Sequence, residues 1–407
     1  LANPPCPLLA VADTTLAYLA LARYHRRRMA AKIVALTGSS GKTTVKDMLY
    51  AAFSPLMPTQ ASLKNHNNDI GVSQTLLSLQ PDTRLMIVEM GMRGRHQIDR
   101  LSLAAEPDVA MVLNVGPAHI GLLGSLEAIA RAKCEIYDGL LAPHGGIAIA
   151  NGDNDVLMAE FNRHGFQGQR LSFHRAQAEA IVQSAEATTI QLEGVNLSVG
   201  VSGDHMVDNL LAVATVAKAL QIPLWQIQKG LATFSPTEGR GDKISVRGYP
   251  HLSLINDAYN ANPASMKAAL QALLSSRSKT SCDPLILILS GMNELGEHAE
   301  HYHRDLGCWL SHQTGIDELI LVGTQEANWI QGGMAQAIDT TTADEPFATH
   351  QVSAVDDLPA LLNQLGVLKN NVETTIYLKG SRSFGLERLA SLLSEGAASS
   401  EEKAAGR

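Results

Sequence analysis

The chain is 407 residues long, with 45% hydrophobic and 18% charged residues. That is too long for one ordinary core and too apolar for disorder, so two or three folded domains are expected. A net charge of -8 argues against a nucleic-acid binder, and no apolar run approaches the roughly 18 residues of a membrane span, so no membrane insertion is expected.

The four cysteines, Cys6, Cys134, Cys282 and Cys308, are scattered without C-x-x-C spacing. Neither a disulfide scaffold nor a zinc site is expected, and a reducing, cytoplasmic setting is the simple reading. The opening is Pro-rich and lacks a basic n-region, so it does not read as a secretory signal. It begins with Leu1, which suggests numbering that starts inside a longer protein.

In chain order, residues 8–22 read as a short Leu/Ala helix. It runs into the basic stretch Arg23-Tyr24-His25-Arg26-Arg27-Arg28, taken as a solvated helix end favoured by the helix dipole. Ile33 to Leu36 reads as a buried strand, followed by a glycine loop and a helix from about Lys42 to Ala52. Further strands are expected at Leu85–Met90, Val109–Val115 and Gly146–Ala150, with a helix over Ser125–Leu141 among the stretches between them. Alternating strand and helix argues for a mostly parallel sheet covered on both faces. Residues 171–201 change to short β-like pieces, read as a small antiparallel excursion. Met206–Leu220 reads as a buried helix.

Ser235-Pro236-Thr237-Glu238-Gly239-Arg240-Gly241 marks a linker. Strands then recur at Ser253–Asn256, Leu285–Leu289, Leu319–Val322 and Thr375–Leu378, which makes a second α/β unit. The tail from Glu395 is expected to be disordered. The tripeptide Arg240-Gly241-Asp242 is taken as coincidence.

The most specific motif is Thr37-Gly38-Ser39-Ser40-Gly41-Lys42-Thr43-Thr44, between a strand and a helix. Its glycines let backbone N–H groups turn toward an anion, and the helix start adds positive potential. Lys42 can reach the terminal phosphates of a nucleotide, and the Thr43 hydroxyl can bind Mg²⁺. The longer form of the motif has Gly where this chain has Leu36. No Gly-x-Gly-x-x-Gly follows a strand, which speaks against a dinucleotide dehydrogenase.

Phosphoryl transfer needs cations. Glu89, at the C-terminal end of an apolar strand, is the carboxylate best placed for one, against the simpler reading of an exposed strand end. His119 follows the next strand, and Lys133 lies on the helix after it; taken alone, either reads more simply as structural or solvated. His298, His301 and His303 resemble a metal cluster but are read as a solvated helix face.

The order of Thr-Gly-Ser-Ser-Gly-Lys-Thr-Thr, Glu89, Asn114-Val-Gly-Pro-Ala-His119 and Ala132-Lys-Cys-Glu135 resembles the Mur ligases of bacterial cell-wall synthesis. Four further segments carry the likeness: Lys64 to Gly71, Asp257-Ala-Tyr-Asn-Ala-Asn-Pro263, Gly291-Met-Asn-Glu-Leu-Gly296 and Lys379-Gly-Ser-Arg382. It runs from about residue 8 to 390. The resemblance implies an α/β fold, with a central P-loop parallel-sheet ATPase domain (31–238) followed by a Rossmann-like C-terminal domain (239–395). Residues 1–30 would be a remnant of an N-terminal domain that grips the UDP substrate, and 396–407 a tail.

It implies ATP and two Mg²⁺ sites: Thr43 with Glu89 at one, His119 at the second, and a carbamate on Lys133. Gly38, Ser39, Ser40, Gly41, Lys42, Thr43, Thr44, Asn209, Arg240 and Asp257 would bind the nucleotide. Asn67, Asn68, Tyr259, Asn260 and Asn262 would serve the substrates. The branch it most resembles joins D-alanyl-D-alanine to a UDP-linked muramoyl tripeptide through an acyl phosphate, and a monomer is expected. Other Mur-type acceptors, a folylpolyglutamate-type ligase, an ATP-hydrolysing switch and a non-ligating ATP-binding fragment remain as alternatives.

Overall fold

The computed structural model describes residues 8–140, 146–184, 187–236, 239–277, 283–337 and 347–395. The expected tail from 396 onward and the linker residues 237–238 lie outside the described residues.

Helix α1 (Thr14–Arg26) is capped by Asp13, whose carboxylate accepts the N–H groups of Thr15 and Leu16 at 2.7 and 2.9 Å. It starts later than expected and takes in most of the basic run, which is not simply solvated. Arg23 and Arg27 both bind Glu106 at 2.6 Å. Arg26 is buried and donates to the carbonyls of Ala105 and Glu106 and to the Asp108 carboxylate. The run is a clamp, because Glu106 ends a neighbouring helix with its carbonyl and carboxylate facing it.

The first sheet holds β1 (Lys32–Thr37), β2 (Thr59–Ala61), β3 (Leu85–Glu89), β4 (Val109–Val112), β5 (Ile147–Asn151) and β6 (Gln169–Phe173). Its order is β2-β3-β1-β4-β5-β6, all parallel. Both faces are covered, so its strands are apolar throughout rather than alternating. Ile33 and Ala35 of β1 pack toward α1, α3 (Asp69–Leu77), α4 (Ile98–Ala105), α6 (Leu126–Cys134) and α7 (Asp155–Arg163). Val34 and Leu36 face α2 (Lys42–Phe53), α8 (Asp204–Ala219) and α9 (Leu224–Leu231). A single turn, α5 (Ile120–Leu123), follows β4.

The helix expected over 125–141 stops at Cys134 and tightens into a 3₁₀ turn over Glu135–Gly139. There Gly139 packs directly on the Ser102 backbone of α4. The antiparallel excursion is narrower than expected. It comprises β7 (Ala180–Gln183), β8 (Thr188–Leu192) and β9 (Val195–Val199), paired in that order. Residues 171–173 belong instead to β6, whose Leu171 pairs with Ile149. A short edge strand carries too few residues to signal its partner.

The second sheet contains β10 (Asp242–Ser245), β11 (Leu252–Asp257), β12 (Leu285–Ser290), β13 (Glu318–Val322), β14 (Ala348–Val352) and β15 (Thr374–Lys379). The order is β10-β11-β15-β12-β13-β14, antiparallel only between β10 and β11. Helices α10 (Pro263–Ser276), α11 (Ala299–Leu310), α12 (Gln325–Ala337) and α13 (Leu358–Gln364) cover it. The edge strands β10 and β14 lack fully buried residues and left no apolar run to read. One apolar cluster continues across both units through Ile120 and Leu295. Among the described residues no helix is long and apolar enough to cross a membrane.

Candidate active site

The strands deliver their C-terminal ends to one crevice between the two units, the place where open parallel sheets hold ligands. From β1 the chain turns through Gly38–Gly41 into α2. Gly41 has φ +78° and caps α2 without any side-chain bond. The first N–H groups of α2, on Lys42, Thr43 and Thr44, therefore have no intrahelical acceptor and suit an anion. A Cβ at Gly38 would lie 3.0 Å from Leu113 Cβ and 3.1 Å from the Ser40 carbonyl, so a side chain would strain the turn.

The other half of the loop is held internally. Asn114, just past β4, accepts the N–H groups of Ser39 and Ser40 at 3.0 and 2.9 Å with one carboxamide oxygen. The Ser39 hydroxyl and the Gly116 backbone exchange two hydrogen bonds. Lys42 donates to the Gly38 carbonyl at 2.7 Å. Burial lowers the Lys42 pKa, with nearby Arg240 adding to the effect and Glu89 and Glu294 opposing it.

Glu89 ends β3 and is 2% exposed, not a solvated strand end. Its Oε2 accepts the Thr43 hydroxyl at 2.9 Å, and its Oε1 accepts Asn67 Nδ2 at 2.9 Å. Arg240, from the second unit, donates to the same Thr43 hydroxyl at 3.0 Å. A hydroxyl beside a buried carboxylate is a hard oxygen pair of the kind Mg²⁺ takes together with phosphate oxygens. Among the described residues no three His, Cys, Asp or Glu side chains gather into a metal cluster. The fit is thus to a cation that shares its coordination with a ligand.

His119 opens α5 at φ +67°, and its Nδ1 lies 2.6 Å from Glu294 Oε2 of the second unit. That contact holds Glu294 below the usual carboxylate pKa, against the upward push of its partial burial. Lys133 is 1% exposed, and burial, with Lys42 nearby, drives its amine well below the ordinary lysine pKa. An amine kept neutral in this way is the form that can react with CO2.

The remaining sequence-derived residues divide. Asn209 is buried on α8, with its Oδ1 behind Gly41. Asp257 is bound by Lys379 at 2.6 Å and by the Tyr377 hydroxyl at 2.8 Å. The guanidinium carbons of Arg240 and Arg382 lie 4.6 and 5.5 Å from the centre of the Tyr259 ring, within cation–π range. Asn68 caps α3 through the Gly71 N–H, and Asn262 caps α10 while reaching the Ser39 carbonyl at 3.4 Å. Asn260 is exposed. The histidine cluster does not form a solvated face as a set. His303 is fully buried, accepts the Met292 N–H at 2.9 Å and donates to the Ala299 carbonyl at 2.7 Å.

Sequence reasoning gave no role to Asn114, Glu294 or Arg382. The first two follow the C-terminal ends of β4 and β12, so the rule that singled out Glu89 would also have found them.

Comparison with known proteins gives the family. Residues 36–217 match the Mur ligase middle domain, and residues 239–382 match the Mur ligase, glutamate ligase domain. A UDP-N-acetylmuramoyl-tripeptide--D-alanyl-D-alanine ligase of Escherichia coli is 34% identical, over 96% of this chain and 82% of its own length. The Synechocystis protein of the same name is 33% identical, over 94% of this chain and 79% of its own. A crystal structure of MurF from Acinetobacter baumannii superimposes with a TM-score of 0.81 at 31% identity, covering 96% of this chain and 84% of that one. With its phosphate loop, its buried strand-end carboxylate and matches through both sheets, this chain belongs to the Mur ligase family.

Proposed function

We propose that this chain joins D-alanyl-D-alanine to a UDP-N-acetylmuramoyl tripeptide in an ATP-dependent reaction of peptidoglycan precursor synthesis, acting as a monomer in the cytoplasm. The observation that carries the reading is the convergence of Lys42, Thr43, Glu89 and Arg240, from both units, on the open end of one phosphate loop. Relatives at 33–34% identity bear the name of that activity.

A carboxylate resists an amine because its carbon is poorly electrophilic. Transfer of the γ-phosphoryl group of ATP to a carboxylate oxygen gives an acyl phosphate. The amine lone pair then forms the C–N bond, and the C–O bond breaks with its electrons on the departing phosphate. The surplus amine proton leaves with the departing phosphate, whose oxygens become basic as the C–O bond breaks.

In this scheme the free N–H groups of α2 and the Lys42 ammonium bind the terminal phosphates. Arg240 crosses from the second unit to the same point, so the residue set is complete only when the two units meet. Mg²⁺ would be held by Thr43 and Glu89 at one site and by His119 and a carbamylated Lys133 at another, and it supplies charge neutralisation for the phosphoryl group. Asn209 and Asp257 would serve the nucleotide, and Asn67, Asn68, Tyr259, Asn260 and Asn262 the other substrates. Contact between the units excludes the water that would hydrolyse the acyl phosphate.

The test is Lys42→Ala, assayed by mass-spectrometric detection of ligated product with UDP-tripeptide, ATP, Mg²⁺ and the dipeptide. Product should fall by at least about a hundredfold, as when one preorganised charge-stabilising group is removed. Near-normal turnover, or wild-type ATP hydrolysis indifferent to both acceptors, refutes the reading.

A further inference from the structure

Glu294 is a crevice carboxylate whose chemistry the scheme above leaves unused, and we propose that it binds the ammonium group of the incoming amine substrate. The inference rests on the ligase reading and adds a subsite to it.

The carboxylates of the crevice differ in what they have left to offer. Glu89 is buried, with its oxygens bonded to Thr43 and Asn67. Asp257 is bound by Lys379 and Tyr377. Glu294 uses Oε2 on His119, while no side chain among the described residues bonds its Oε1, and its side chain is 40% exposed. It is therefore the crevice carboxylate that can accept a charged N–H donor without giving up an existing partner.

Its placement is built rather than incidental. Glu294 is held at φ +64°, a left-handed conformation that side chains other than glycine adopt at a cost. The loop around it is fixed on several sides. The Met292 N–H is held by buried His303, and the Asn293 N–H by the Ser381 hydroxyl at 2.9 Å. The Glu294 carbonyl accepts the Gly121 N–H at 3.3 Å. Such strain persists only where surrounding bonds over-determine it, and here it presents a carboxylate to the opposite unit.

The surroundings favour the assignment. Lys42 and Arg93 both act electrostatically on Glu294, and with Arg240 they make the crevice rich in cations suited to phosphates and to an anionic substrate. An incoming ammonium is repelled by that field and needs a local anion to approach the acyl carbon. Glu294, beside His119 and delivered by the second unit, supplies it.

The test separates recognition of the amine from assistance to phosphoryl transfer. In Glu294→Gln, the KM for D-alanyl-D-alanine should rise about tenfold to a hundredfold, the loss expected for one charge-assisted hydrogen bond, while the KM for ATP stays in place. Glu294→Asp should recover part of it. Hydroxylamine, a small amine uncharged near neutral pH, captures the acyl phosphate as a hydroxamate without needing the carboxylate. At a fixed, sub-saturating dipeptide concentration the hydroxamate-to-amide ratio should therefore climb in Glu294→Gln. If hydroxamate and amide fall together and the ratio is unchanged, Glu294 acts only by positioning His119 and the proposal is overturned. If the wild-type enzyme forms neither amide nor hydroxamate, the ligase reading itself fails, a result distinct from the first.

Discussion

Gly121 packs against the Gly296 backbone of the second unit, and Gly121→Ala tests whether that approach is used in turnover. A Cβ there would lie 2.4 Å from the Gly296 nitrogen and 2.7 Å from its Cα. Ordinary contact begins near 3.4 Å, so the added methyl is about 1 Å too close to backbone that cannot rotate away. Relief by separating the segments would stretch the His119–Glu294 contact from 2.6 Å to roughly 3.6 Å, past hydrogen-bonding range. Overpacking of this kind costs about 1–3 kcal/mol, which corresponds to a loss of roughly fivefold to 150-fold in kcat/KM if closure is required. The assay is steady-state ligation beside thermal unfolding, with Gly165→Ala as control, since a Cβ there meets nothing within 4 Å. A Gly121→Ala enzyme within twofold of wild type would refute the idea that these segments meet during the reaction.

Two further outcomes concern stability. His303 must be neutral to accept the Met292 N–H, and burial pushes its pKa below the usual histidine value. Below about pH 6.5 the unfolded chain takes up a proton that the folded one refuses, so this contribution is complete above that pH and is lost as pH falls toward the depressed folded value. His303→Leu should cost about 1–3 kcal/mol at neutral pH by orphaning that N–H, and urea melts between about pH 5 and 8 should show a flatter acid limb; parallel pH curves for the two proteins would contradict the assignment. Arg26→Ala strips donors from the Ala105 and Glu106 carbonyls and from Asp108. Breaking a fully buried pair costs about 3–5 kcal/mol; with Asp108 34% exposed, about 2–3 kcal/mol is expected from denaturant unfolding, and a change under 1 kcal/mol would show the clamp to be slack.

The central strands of both sheets were legible because burial on two faces leaves uninterrupted apolar runs, as in Ile33–Leu36 and Leu285–Leu289. Edge strands escaped for the converse reason: β10 alternates partly exposed positions and β2 spans three residues. In the site, the loop and Glu89 could be read from their position between or at the end of regular elements. The partners that organise them come from far along the chain. Thr43 and Arg240 are 197 positions apart, and no local pattern encodes that meeting. His303 was misread because grouping it with His298 and His301 shows neither which side of the helix it takes nor whether that side meets solvent or a loop. The basic run of α1 was misread likewise, since Glu106 and Asp108 lie some eighty residues downstream.

The Asn114 carboxamide has a thermodynamic consequence. By fastening the Ser39 and Ser40 amides it freezes half of the turn before any guest arrives, so the disorder surrendered on capture is charged to folding rather than to binding. A stiff receptor of that kind should take up nucleotide with little rearrangement of its own backbone, leaving the larger motion, and the selectivity that goes with it, to the approach of the second sheet.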